Sequence, residues 1–160
     1  SALINSGSDP AYTIPISHLE SRIWSIGIGN TKDIIIEGSN NLLAGSGMKC
    51  RLITINGDAG SETGAGMEGG RIMISGDASA DIGSAMKGGS IMVNGHLKSN
   101  GRTNCIPQMQ GGEVVVLGDI FGVVGNGMQG GEIHAMGRLG RIGDIIHGKI
   151  FHKGKLIVDK

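Results

Sequence analysis

Gly64–Ala65–Gly66–Met67–Glu68–Gly69–Gly70–Arg71–Ile72–Met73–Ile74–Ser75–Gly76 sets the frame for the whole chain. It contains a methionine, a glycine pair, a short alternating apolar run and a closing glycine. Nineteen residues on, Met86–Lys87–Gly88–Gly89–Ser90–Ile91–Met92–Val93–Asn94–Gly95 repeats it. The same frame returns from Met109 to Gly118 and from Met128 to Gly137. Going backward, Met48 to Gly57 fits with Cys50–Arg51 in place of the glycine pair, and Ile34, Ile36 and Gly38 fit before that. The closing glycines 38, 57, 76, 95, 118 and 137 are spaced 19, 19, 19, 23 and 19 apart. Such a period marks a stack of repeats and is settled before any single residue is read.

Within each repeat two apolar columns stand two residues apart and so share one strand face. They are Ile34, Ile53, Ile72, Ile91, Val114, Ile133 and Ile36, Ile55, Ile74, Val93, Val116, Ala135. Nineteen residues are too few for a strand–helix–strand unit, which takes about 30. They do fit a coil of short strands joined by glycine turns. The expected fold is all-β, a single-stranded parallel β-helix of about six or seven coils. The two Ile/Val columns and a methionine ladder (48, 67, 86, 109, 128) form its core. Residues 1–32 read as an extended lead-in followed by a short helix over 18–25, with Ser17 and Glu20 as a capping box and Trp24 as its largest side chain. That helix either covers the open end of the stack or packs on a partner. Residues 33–160 form the repeat domain. The coil from Gly95 to Gly118 is four residues longer, which predicts a protruding loop at about 96–108. Lys155–Leu156–Ile157–Val158 reads as a last edge strand guarded by lysines.

Thirty-one of 160 residues are glycine, yet 39% are apolar and no every-third spacing occurs, so the chain is folded and rich in tight turns. Basic and acidic residues balance at 14 each, which argues against nucleic acid or an anionic membrane as partner. No apolar run approaches the roughly 18 residues that span a bilayer. No signal peptide is visible, and Ser1 points to a trimmed start. Cys50 and Cys105 lack metal or disulfide spacing, so a cytoplasmic protein is expected.

Candidate chemistry is sparse. Gly45-x-Gly47, Gly64-x-Gly66 and Gly125-x-Gly127 open no helix and read as turns. Asp58, Asp77 and Asp119, with His96 and Arg138 at the intervening sites of the same frame, read as turn residues bonding local amides. His134, His147 and His152 have no zinc spacing, and His147 is expected in the inward methionine column. The loop places Cys105 near Arg102 and His96, the one candidate catalytic set for a nucleophile reading. No Gly-x-Ser-x-Gly elbow exists.

Over residues 33–137 the tandem Gly-x-Gly-Met-x-Gly-Gly-x-Ile-x-Val-x-Gly pattern resembles the GXGXG superfamily. That superfamily includes one of the subunits of formylmethanofuran dehydrogenase and the C-terminal domain of the glutamate synthase large subunit. Four successive Met-x-Gly-Gly units are closer to the former, and Asn104–Cys105 ahead of Met109 leans to the latter. The resemblance implies a right-handed β-helix with a structural role. It would carry no cofactor and hold molybdopterin- or flavin-containing catalytic subunits of an oxidoreductase together. Outward Met73, Met92 and Val115 are the expected contact stripe, for such a partner or for self-association. The competing class is a stand-alone enzyme using Cys105, Arg102 and His96.

Overall fold

The computed structural model describes residues 8–16, 26–28, 31–99 and 104–160. The expected capping helix over 18–25, Trp24 included, lies outside them, and no helix occurs among the described residues. The chain is an all-β solenoid. Among the described residues eight strands stack in parallel in one sheet: Ala11–Pro15, Asp33–Glu37, Leu52–Asn56, Arg71–Ile74, Ser90–Val93, Glu113–Val116, Glu132–Ala135 and Lys149–His152. Seven turns of chain separate the first from the eighth. A ninth strand, Lys155–Asp159, closes this first sheet in antiparallel sense.

Two shorter walls complete each coil. The second is built from Asn40–Leu42 on Ala59–Ser61, single bridges through Ala78, then Leu97–Lys98 on Ile120–Phe121. The third stacks Asn104–Ile106, Val123–Val124 and Arg141–Ile142.

The two apolar columns lie in register. Ile34 pairs with Ile53, Ile53 with Ile72, Ile72 with Ile91, Ile91 with Val114, and Val114 with Ile133. Both columns and all five ladder methionines are buried in one continuous core. β-branched side chains suit these rungs because they pack on the pleat with little rotamer freedom to lose. Among the described residues the only buried polar side chain is Thr63, whose hydroxyl donates to the Gly60 carbonyl at 3.0 Å.

The glycine pair follows from the stacking distance of about 4.8 Å between rungs. At Gly70 (φ 86°) an added Cβ would strike the Met48 methyl and lie 2.7 Å from the Arg51 carbonyl oxygen of the coil below. Gly89, Gly112 and Gly131 meet the same neighbours one coil further each time.

Three expectations need correction. The first rung is Ala11–Pro15, paired residue for residue with Asp33–Glu37, so the parallel stack starts before residue 33. His147 is exposed, and Ile145 fills the methionine place. The last rung comes 17 residues after its predecessor, from Glu132 to Lys149, which shifts the frame by two. Finally, most of 96–108 does not protrude. Leu97 bridges Ala78 nineteen residues earlier and is buried, and Asn104–Ile106 is a wall strand with Cys105 and Ile106 buried. The four surplus residues fall between Ser99 and Asn104.

Candidate functional site

One face of the solenoid carries a ladder of polar side chains just after the closing glycines. The Ser39 hydroxyl accepts from the Asp58 amide at 3.1 Å, and Asp58 Oδ1 from the Asp77 amide at 2.8 Å. Asp77 Oδ1 accepts from the His96 amide at 2.7 Å, and His96 Nδ1 from the Asp119 amide at 2.9 Å. Asp119 Oδ1 then accepts from the Arg138 amide at 2.7 Å. Each acceptor therefore serves the equivalent amide one coil along, not a local one as the sequence suggested. Each bond satisfies a turn amide that the sheets leave unpaired.

The charges follow from this geometry. The Lys98 ammonium bonds Asp77 Oδ2 and, with the His96 amide, holds the Asp77 carboxyl below its ordinary value. The Arg138 amide, then its guanidinium at 3.1 Å, does the same for Asp119. Asp81 moves the other way, raised by burial and by the nearby Glu62 charge.

Of the candidate catalytic set, Cys105 and His96 are described, and each is otherwise engaged. Cys105 is fully buried, its Sγ 3.5 Å from the Phe121 carbonyl oxygen. Burial, with the Asp81 charge, pushes its thiol up to about 11. A thiol held protonated at neutral pH is a poor nucleophile. His96 Nδ1 is already engaged by the Asp119 amide. Arg102 lies outside the described residues. Among those described, no group of three or more His, Cys, Asp or Glu side chains is placed to hold a metal ion. No helix among them is long and apolar enough to cross a membrane.

The outer wall of the first sheet is different in kind. Its central column runs Ile35, Thr54, Met73, Met92, Val115, His134 and Phe151, in register and half-buried. Met73, Met92 and Val115 line a shallow depression of about 240 Å³ with Arg71, Ser90 and Glu113 at its side. Two residues further along, Leu117 and Met136 are 43% and 44% exposed. The His134 ring stacks on Phe151 at 4.4 Å, between Glu113 at 3.5 Å and Glu132 at 3.4 Å.

A second feature escaped sequence reading, because it needs two stacked coils. Two stacked rungs, Ile120–Val123 and Arg138–Arg141, are joined by the Ile120 amide donating to the Arg138 carbonyl at 2.8 Å and the Arg141 amide to Gly122 at 3.0 Å, and together they line an open groove of about 560 Å³. The Arg138 guanidinium sits 5.5 Å from the Phe121 ring centre. Comparison with known proteins finds no matching family model, no matching curated protein and no matching solved structure.

Proposed function

We propose that this protein is a non-catalytic scaffold subunit of a multi-subunit oxidoreductase, of the formylmethanofuran dehydrogenase or glutamate synthase type. The observation that carries the reading is the apolar outer column, Met73, Met92 and Val115 with Leu117 and Met136 beside it. Five rungs from Met73 to Phe151 extend for about 19 Å. A straight wall of this kind fits a flat partner surface, and a stable interface takes about 800 Å² per side. The ladder from Ser39 to Arg138 supports the same reading, since those polar groups hold coil to coil. Sequence resemblance supplies the class of complex, with molybdopterin- or flavin-containing catalytic subunits as partners. Two free cysteines fit a reducing compartment such as the cytoplasm.

The test is purification of the native protein with identification of what accompanies it. A pterin- or flavin-containing catalytic subunit that is lost in Met92→Glu, with the fold intact, is the expected result. A protein that turns over substrate alone and loses that activity in Cys105→Ala would overturn the proposal.

A further inference from the structure

The C-terminal end of the chain differs in charge from the rest. Residues 138–160 carry six basic side chains (Arg138, Arg141, Lys149, Lys153, Lys155, Lys160) against Asp144 and Asp159. Residues 1–137 carry eight basic against twelve acidic, so a chain of zero net charge has one strongly basic end. At that end the three walls do not stop together. The first sheet is closed by its antiparallel strand, with a hairpin turn at Lys153 (φ 51°) and Gly154 (φ 76°). A register shift in that pairing leaves Ile157 out of the ladder, and bulges and lysines of this kind protect an edge from further pairing. Extension of the stack by a second copy is disfavoured there. Among the described residues the third wall has no such closure: Arg141–Ile142 pairs only with Val123–Val124, forms the free edge of its sheet, and both residues are exposed.

We propose that this edge, residues 138–142, docks an acidic, extended peptide segment of a partner protein by strand addition. It lies on a different wall from the apolar column and stands independently of the scaffold reading. Main-chain bonds along the free edge would hold the segment, and alternate side chains would select it. The groove beside the edge supplies the selection. Among the described residues the Arg141 guanidinium has no ion-pair partner, so a carboxylate gains a charge-assisted bond there without breaking another. Gly122 and Gly140 let the two rungs under the groove stack closely, since a Cβ on Gly140 would strike the Gly122 carbonyl oxygen. Phe121 in the groove and Ile142 on the edge are 42% and 37% exposed and would cover the apolar residues that alternate with the acidic ones. An open trough favours a chain over a small molecule, because small-ligand pockets enclose most of their ligand.

The experiment is fluorescence anisotropy of the whole protein with a labelled peptide of alternating glutamate and valine. Its lysine–valine counterpart and a short single-stranded RNA serve as rivals. Saturable binding of the acidic peptide is expected, about tenfold weaker in Arg141→Glu, weakened less in Arg141→Gln, and unchanged in Met92→Glu. Hydrogen exchange should show new protection at Ile142 in the complex. The proposal is overturned by absence of binding, by equal affinity for RNA or the basic peptide, or by binding indifferent to both Arg141 variants.

Discussion

The coils from Gly57 to Gly95 and the coil from Gly95 to Gly118 differ by four residues and stack identically. Gly76 donates to the Gly57 carbonyl at 3.0 Å, Gly95 to Gly76 at 2.9 Å, and Gly118 to Gly95 at 3.0 Å. The side-chain ladder is equally indifferent, passing from Asp77 to His96 and on to Asp119 with bonds of 2.7 and 2.9 Å. The register is thus dictated where backbone meets backbone and where Ile, Val and Met fill the core. The surplus length falls in sequence between Ser99 and Asn104, where the described walls on either side keep their pairing. Chain length is a weak constraint outside the paired walls and a strong one inside them.

That contrast ranks the expected damage. Ile72→Asp attacks the regular coils at a fully buried rung and places an unpaired charge among apolar neighbours. A loss of about 4 kcal/mol or more is expected, read as failure to fold or collapse of the urea midpoint. A native-like midpoint would mean that Ile72 is not inward.

Acid acts on the ladder rather than the core. Asp77 and Asp119 titrate below their ordinary value in the folded protein. Their contribution to stability is therefore complete above about pH 4 and drains as the pH falls through the lowered values. Asp81, raised by burial, acts with the opposite sign and loses its contribution as the pH rises past its ordinary value. The double change Asp77→Asn and Asp119→Asn keeps an acceptor oxygen at each site but removes the titration. Thermal midpoints between pH 5 and pH 2.5 should fall less in this variant than in the parent. An identical acid profile would show that the ladder carries no charge-dependent stability.

The smallest effect belongs to the long coil. Deleting residues 100–103 restores the 19-residue spacing and should change stability by about 0.5 kcal/mol or less, seen as an almost unmoved thermal midpoint. Unfolding on deletion would place those four residues in the structural wall.

The stack was legible because its constraints recur. The Ile/Val columns, the methionine ladder and the position of the long coil all follow from one period, and all are found in place. What failed was tied to single occurrences. Ala11–Pro15 forms a rung with no preceding glycine pair, through the register of Tyr12 and Ile14 on Ile34 and Ile36. Cys105 looked like a loop residue, but it belongs to a strand that resumes the third wall and is buried by it. The turn at Lys153–Gly154 needs positive φ at a lysine, which composition does not advertise. Asp58, Asp77 and Asp119 were recognised as a column, but their partners are visible only once coils are stacked. The Phe121–Arg141 groove is in the same position, because the two stacked rungs that line it are about 20 residues apart in sequence.

Two glycines four residues apart give the sharpest test of the stacking itself. Gly66 and Gly70 both have positive φ, 62° and 86°. An added Cβ at Gly66 meets nothing within 4 Å, and Ala85 holds the equivalent place one coil on at φ 53°. At Gly70 the added Cβ would meet the Met48 methyl, the Arg51 carbonyl oxygen at 2.7 Å and the Cys50 carbonyl carbon at 2.8 Å. Urea unfolding of Gly66→Ala and Gly70→Ala side by side therefore separates local strain from coil-to-coil contact. If stacked backbones set the register, Gly66→Ala loses about 1 kcal/mol and Gly70→Ala about 3 kcal/mol or more. Equal losses in the two variants would contradict it.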